Sequence, residues 1–381
     1  MPMRLVFLLT FLFASAAYSS GNDSANSPSP AQTKIARLEE SIAKSPANAR
    51  LYNQLALAFC SRARETADPV FYDRAGAALR KSLELEPSNF EAAKIHVWAL
   101  LGKHEFQEAR DEAERLRKRA PDDVLVYGYL VDANVELGDY KAAEEAAQWM
   151  LDLRPGNVPG LTRAAYLREL FGDLEGAIQF MSQAYERTPP QEREDLAWIS
   201  TQLGHLYLSA GQVESAEQAL QQALQHFPDY HYALGQLAKV RKAQTKFDEA
   251  VSLERRRYAL APHPENLYQL AEALMQAQRP EEARRLFATF EKQALAEMEK
   301  SDNSNRELIF HFARRNPRKA LEIARWELKR RQDVYTLDAY AWALYCGGKR
   351  AEARRQMKEA LAVGIKDPEV VKRATIINRG L

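Results

Sequence analysis

The side chains in this sequence best suited to chemistry are seven histidines, which are scattered along the chain without ligand or catalytic spacing. His104 precedes Glu105, and His263 is followed by Pro264 and Glu265 at predicted helix turns. A lone histidine beside a glutamate is more often a surface pair or a helix cap than a metal ligand. The sequence contains no HExxH, GxxxxGKS/T, GxSxG or GxGxxG segment. We therefore expect no catalytic residues, no metal and no cofactor.

One segment leaves a catalytic alternative open. Residues 292–332 fit the periodicity described below poorly, and they carry Glu299, Asp302, Glu307 and His311 along a predicted loop and helix. A hidden active site would require these ionisable groups to cluster in a cleft. The same alternative includes a regulatory subunit of an envelope enzyme complex.

Composition excludes further classes of function. Hydrophobic residues make up 46% of the 381 residues and charged residues 28%, which is enough apolar surface to fold. The formal net charge is only +1, so nucleic acid is not an expected partner. Cys60 and Cys346 lie near opposite ends of the chain, which predicts neither a disulfide framework nor a CxxC site.

The amino terminus has the pattern of a secretory signal peptide. Arg4 precedes an apolar run at Leu5–Phe13, and small residues provide a cleavage signal at Ala14-x-Ala16 or at Ala17-x-Ser19. The predicted signal peptide covers residues 1–19. This pattern predicts export to the periplasm or cell envelope, with secretion as a further destination.

The apolar run is too short for a stable membrane span, which needs about twenty residues, although an uncleaved anchor is an alternative. Residues 20–30 form a predicted flexible polar linker between the signal peptide and the folded body.

Prolines recur at a fixed interval through most of the remaining chain. Four are separated by 34 residues each, and a second pair resumes the same spacing: Pro87, Pro121, Pro155 and Pro189, then Pro228 and Pro262. Within each interval the apolar residues have helical spacing and are interrupted once by a turn, often at Gly-Asp. Each unit is therefore predicted to be a helix, a tight turn and a second helix.

The units resemble tetratricopeptide repeats. The clearest copy runs from Trp198 to Pro228 and matches the family pattern at Leu203, Gly204, Tyr207, Gly211, Ala216, Leu220, Ala223 and Pro228. The resemblance implies an all-α fold, an α-solenoid with a right-handed superhelix. It covers residues 31–381 as about nine repeats with terminal capping helices, and the last helix is expected to present Lys372, Arg373 and Arg379 to water.

The resemblance also implies where partners bind. In this family the first helix of every unit lines a concave groove that holds peptides or protein segments. Aromatic residues interspersed with polar groups are favoured at interfaces. The residues placed on or near that face are Trp98, Tyr129, Asp132, Tyr166, Trp198, Gln202, His205, Tyr232, Gln236, Lys239, Tyr268, Glu272, Tyr335, Asp338 and Trp342.

We therefore predict an exported, non-catalytic scaffold that binds a protein or peptide partner in this groove. The groove lacks the Asn and Lys pattern of repeats that bind the carboxyl termini of chaperones, since Trp98, Asp132 and Tyr166 occupy the equivalent places. An adaptor that binds an extended glycan or peptide through the same aromatic residues is the main alternative. Self-association through weakly capped ends is another.

Overall fold

A computed structural model describes residues 29–300 and 303–380 of the chain. The predicted signal peptide and nearly all of the predicted linker lie outside the described residues. The regular structure within the described ranges is entirely helical. In chain order the helices are α1 (Pro30–Lys44), α2 (Ala49–Thr66), α3 (Val70–Leu85), α4 (Phe90–Gly102), α5 (Phe106–Arg119), α6 (Val124–Glu136), α7 (Tyr140–Leu153), α8 (Val158–Leu170), α9 (Leu174–Arg187), α10 (Arg193–Ser209), α11 (Val213–His226), α12 (His231–Ala243), α13 (Phe247–Leu260), α14 (Pro264–Gln276), α15 (Pro280–Glu297), α16 (Asn305–Ala313), α17 (Pro317–Glu327), α18 (Val334–Cys346), α19 (Arg350–Leu361) and α20 (Pro368–Arg379).

These helices stack as consecutive helix–turn–helix pairs. Nine pairs, from α2/α3 to α18/α19, occupy the described ranges, and α1 and α20 pack against the two ends. Each pair contacts the next along the chain, so the buried side chains form a nearly continuous apolar layer. The predicted all-α solenoid is confirmed.

Local sequence signals set the helix boundaries. The second helix of a pair ends two residues before its closing proline, as α5 does at Arg119 before Pro121. An Asp or Asn commonly caps the helix that follows. The Asp123 carboxylate, for example, accepts hydrogen bonds from the backbone N–H groups of Leu125 and Val126 at the start of α6.

The poorly matching segment 292–332 also forms a helix pair. Its two helices, α16 and α17, contain 9 and 11 residues, whereas most of the other helices have 13 or more. The side chain of His311 in α16 lies 3.0 Å from the Glu291 carboxylate of α15. Asp302 lies outside the described residues.

Turns within the pairs require a left-handed backbone. Gly138 and Gly172 both have φ of +77°, which glycine adopts without steric cost. At the corresponding turn after α4, His104 has φ of +58° despite its side chain. A non-glycine residue held in this conformation costs on the order of 1 kcal/mol and is often found at functional sites.

Distant pairs also touch, because the solenoid winds back upon itself. The backbone N–H of Gln332 donates to the carbonyl of Glu136 at 2.8 Å. The N–H of Val334 donates to the Tyr140 hydroxyl, also at 2.8 Å, although these residues are 194 positions apart. A side chain at Gly138 would place its Cβ only 2.8 Å from the Gln332 carbonyl oxygen. The turn of the third pair thus lies directly against the start of the ninth.

The first pair makes similar contacts with the middle of the chain. The Arg64 guanidinium at the end of α2 pairs with Glu194 of α10 at 3.0 Å. The backbone carbonyl of Arg64 lies 2.9 Å from Nε2 of His231 in α12, 167 positions away. We call these contacts, together with those around Gln332, the turn-to-turn junction.

The turn-to-turn junction changes the expected shape of the concave side. The resemblance implies a concave groove lined by the first helices, and a repeat is expected to contact mainly its neighbours. In the structure, successive superhelical turns meet at this junction, and the concave side becomes a partly enclosed lumen. The repeat pattern does not predict these contacts between distant pairs.

Close helix crossings lead to a stability prediction. A Cβ at Gly204 of α10 would lie 2.5 Å from Cγ of Leu220 in α11. We expect Gly204→Ala to lower the free energy of unfolding by about 1–2 kcal/mol, because overpacking outweighs the higher helix propensity of alanine. Urea unfolding followed by circular dichroism measures the change.

Gly76 of α3 provides the matched control, because the nearest atom to its added Cβ is the tip of Arg80 at 3.7 Å. Gly76→Ala should raise the unfolding free energy by about 0.5–1 kcal/mol. Equal effects of the two substitutions would contradict close packing at Gly204.

Candidate functional site: an enclosed lumen

The lumen contains two adjoining chambers lined mainly by the first helices of the pairs. The central chamber has a volume of about 450 Å³ and is lined by residues that include Asp132, Glu136, Tyr166, Trp198 and Gln202. The second chamber, which we call the junction chamber, has a volume of about 360 Å³ and is lined by residues that include Asp68, His231, Gln236, Lys239 and Glu265. His104 and Gln202 line both chambers.

Four predicted groove residues converge on the central chamber. Asp132 comes from α6, Tyr166 from α8, and Trp198 and Gln202 from α10. Because each occupies an equivalent face of its helix, stacking the pairs brings them to one wall. His205, another predicted residue, is not among the lining side chains, but its Nε2 is 2.6 Å from the carboxylate of Glu169, which lines the chamber.

The central chamber has a mixed polar and aromatic lining. The Arg163 guanidinium donates to the Asp132 carboxylate at 2.5 Å and to the Gly128 carbonyl at 2.9 Å. This ion pair spans neighbouring first helices and presents both charges to the chamber. Burial raises the pKa of Tyr166 well above its usual value, so its hydroxyl stays protonated and can donate a hydrogen bond.

A charged network connects the central chamber to the turn-to-turn junction. Arg331 lies 2.9 Å from Glu327 and 3.5 Å from Glu136, and Arg306 lies 3.6 Å from Asp333. Burial, with Asp333 adding to it, raises the pKa of Glu136. Burial opposes ionisation of Asp333 as well, but the two guanidiniums outweigh it and lower the pKa of Asp333.

Three other predicted residues line the junction chamber. Tyr232, Gln236 and Lys239 lie along one face of α12. Tyr232 keeps 37% of its surface exposed, and Lys239 is also exposed. These are the two most exposed members of the predicted set, whose remaining members are half-buried or buried.

The other predicted residues pack into the solenoid rather than line a chamber. Tyr129 and Trp342 are each only 8% exposed. Tyr268 packs against Phe290, with ring centroids 5.0 Å apart. Trp98, Glu272 and Tyr335 are half-buried.

Asp338 is the residue whose position differs most from the predicted groove face. It is 1% exposed, and both of its carboxylate oxygens accept hydrogen bonds from Arg373 at 2.6–3.0 Å. Arg373 therefore does not face water as predicted, because α20 folds its guanidinium back onto α18. This ion pair makes Asp338 part of the end cap and leaves its side chain inaccessible to a partner on the predicted face.

Several lumen residues are missing from the sequence prediction. His104 lies in a turn, Arg257 on a second helix, and Glu265 at the start of α14. The alignment of His104-Glu105-Phe106 with Gly138-Asp139-Tyr140 could have identified the histidine, because it occupies a glycine position. No periodic signal marks the others, since superhelical winding brings them together.

The described residues show two further properties relevant to function. In ranges 29–300 and 303–380, no three or more His, Cys, Asp or Glu side chains are arranged to hold a metal ion. Among the helices of the same ranges, none has the length and apolar character needed to cross a membrane.

Comparison with known proteins connects this architecture to one repeat family. Tetratricopeptide repeat models match residues 96–158, 130–192 and 171–237. No curated protein matches the sequence.

Solved structures of similar fold include the anaphase-promoting complex hetero-tetramer Cut9–Hcn1, at 15% identity and a TM-score of 0.55. The match covers 89% of this chain and 58% of that chain, so this protein spans less than two thirds of its length. The human IFIT1 dimer with PPP-AAAA is similar at 14% identity and a TM-score of 0.54, with 88% of this chain and 95% of that chain covered. At these identities the likeness shows a shared fold.

Proposed function

We propose that this protein is a non-catalytic scaffold that binds a partner segment in its lumen. The chain belongs to the tetratricopeptide repeat proteins, whose stacked helix pairs are suited to protein–protein interaction. The observation that supports this most is the convergence of Asp132, Tyr166, Trp198 and Gln202 on the central chamber. These side chains come from three separate pairs, so their meeting depends on the fold.

The chemistry of the central chamber suits a peptide. Trp198 and Tyr166 provide aromatic surface, which contributes much of the binding energy at protein interfaces. Gln202 and the Asp132–Arg163 ion pair offer donors and acceptors for a peptide backbone. Because the turn-to-turn junction encloses the lumen, the partner contributes a chain end or a short loop rather than a long strand across an open groove.

The lumen is not suited to a polyanion. The human IFIT1 structure contains PPP-AAAA, but that ligand belongs to IFIT1. Here the central chamber includes the carboxylates of Asp132, Glu136 and Glu169 beside its arginine. Such carboxylates repel phosphate groups. We therefore retain a peptide as the proposed ligand.

The proposed location is the periplasm or cell envelope. This proposal is supported by the charged start, short apolar run and small-residue cleavage site of residues 1–19. A partner would then be another envelope or exported protein.

Trp198 tests the binding proposal. Peptides selected from a displayed library on the folded protein should bind Trp198→Ala at least about thirtyfold more weakly, the usual scale for a buried aromatic hot spot. Gln202→Ala should weaken the same peptides to a smaller extent, because it removes only polar contacts. Fluorescence anisotropy with labelled peptides measures the affinities, and circular dichroism verifies folding.

Trp149→Ala is the matched control. Trp149 lies on the second helix α7, is 36% exposed and stacks on Tyr127 with ring centroids 4.4 Å apart. The Trp149→Ala substitution should leave peptide affinity unchanged. Peptides that bind wild type and Trp198→Ala equally, or that lose affinity only for Trp149→Ala, would place the binding site elsewhere.

Export leads to a separate prediction. When the full chain is expressed in a Gram-negative host, the periplasmic fraction should contain a product shortened by about 16 to 19 residues, since signal peptidase cleaves after small residues. Intact mass spectrometry measures the cleavage. Full-length protein confined to the cytoplasm would contradict export, whereas membrane-bound full-length protein would identify an uncleaved anchor.

A further inference from the structure

The junction chamber is a separate site with its own chemistry. Its walls come from two superhelical turns, because Asp68 follows α2 whereas Gln236 and Lys239 belong to α12 and Asn266 to α14. A volume of about 360 Å³ is within the range of small-molecule sites in proteins. The chamber exists only while the turn-to-turn junction is formed.

Lys239 supplies a positive charge to this chamber. It has no ion pair with any residue of ranges 29–300 and 303–380. Desolvation by the surrounding chain, together with the nearby charges of Arg257 and Lys242, lowers the pKa of Lys239, whereas Glu265 and Asp367 act in the opposite direction. An ammonium group in such surroundings is stabilised by an anion beside it.

Arg257 is a second cation with spare hydrogen-bonding capacity. Its terminal nitrogens lie 3.6 Å from Glu254 and 3.6 Å from Glu265, which are loose ion pairs. Its Nε is buried and has no hydrogen-bond partner among the described residues. The chamber therefore offers donors on two side chains from neighbouring helices.

Two buried acceptors complete the lining. His231 Nε2 lies 2.9 Å from the Arg64 carbonyl, so this nitrogen carries the proton and Nδ1 is left as an acceptor. Burial lowers the pKa of His231 to about 4, which keeps the ring neutral near pH 7. Within the described part of the chain, neither Nδ1 of His231 nor Oε1 of Gln236 accepts a hydrogen bond, although both atoms are buried. A ligand hydroxyl that donates a hydrogen bond would satisfy either of these two unpaired acceptor atoms.

We propose that the junction chamber binds a small monocarboxylate rich in hydroxyl groups, about the size of a six-carbon sugar acid. Its carboxylate lies beside Lys239 and Arg257, and its hydroxyls donate to His231 Nδ1 and Gln236 Oε1. The Tyr232 ring, exposed at the wall, provides a surface for the sugar ring. This proposal is independent of peptide binding in the central chamber.

Charge favours a hydroxyl-rich monocarboxylate over phosphates and amino acids of similar size. The carboxylates of Asp68 and Glu265 line the chamber beside Lys239 and Arg257, so a phosphate dianion is repelled more strongly than a monocarboxylate. A ligand ammonium would meet the field of Lys239, Lys242 and Arg257, which disfavours amino acids. Hydroxyl groups donate without adding charge.

The experiment uses glucuronate as the probe, with glucose and propionate as matched partial ligands. Isothermal titration should show saturable binding of glucuronate to the wild-type protein. Either control should bind at least tenfold more weakly, because glucose lacks the carboxylate and propionate lacks the hydroxyl groups. The melting temperature should rise with glucuronate concentration, since a ligand that binds only the folded chamber stabilises it.

Lys239→Met should weaken glucuronate binding by about tenfold or more, the scale of one charge-assisted hydrogen bond. Lys239→Arg should retain part of the affinity. Lys242→Met, three residues along the same helix and outside the chamber lining, should weaken binding by less than about threefold, because it removes only a more distant charge. Both lysines are solvent-accessible, so their replacement leaves the core intact.

The outcomes separate this proposal from the peptide proposal. Absence of glucuronate binding, equal binding of glucose, tighter binding of serine, or equal loss in Lys239→Met and Lys242→Met would each overturn it. The selected peptides and their dependence on Trp198 would be unaffected by any of these results.

Discussion

The contact between successive turns of the superhelix is the constraint on which the candidate sites depend. Two backbone N–H groups hold the ninth pair against the third, since Gln332 donates to the Glu136 carbonyl and Val334 donates to the Tyr140 hydroxyl. The Arg64–Glu194 ion pair holds the first pair against the fifth. Without these contacts the concave side would be an open groove in bulk water. With them it is a lumen, in which hydrogen bonds and charges act more strongly because water is partly excluded.

Enclosure explains the unusual polarity of the interior. An open groove would let the side chains of Glu136, Arg331 and Asp333 remain hydrated, whereas the closed lumen requires them to pair with each other. A buried network of this kind contributes little net stability but penalises any arrangement that leaves one charge unpaired. It therefore favours one winding of the solenoid over others.

The fold follows from local signals in the sequence. Proline spacing, helical periodicity and turn glycines are all properties of neighbouring residues, so they identify the pairs and their boundaries. The same register places Asp132, Tyr166, Trp198 and Gln202 on one wall of the central chamber. It does not reveal that superhelical winding brings His104 to the lumen, or that Asp338 pairs with Arg373 of the neighbouring end cap. A short repeat pattern carries no information about contacts 194 positions apart.

The most direct test of the enclosed lumen is amide hydrogen exchange at Gln332 and Val334. In an open solenoid these N–H groups, one in a loop and one in the first turn of α18, would have no backbone partner and would exchange within seconds. Donation to Glu136 and Tyr140 predicts protection comparable to that of amides inside α18, and faster exchange at Val334 in Tyr140→Phe. Exchange of both amides at the rate of an exposed loop would show that the turns do not meet, and would contradict the lumen.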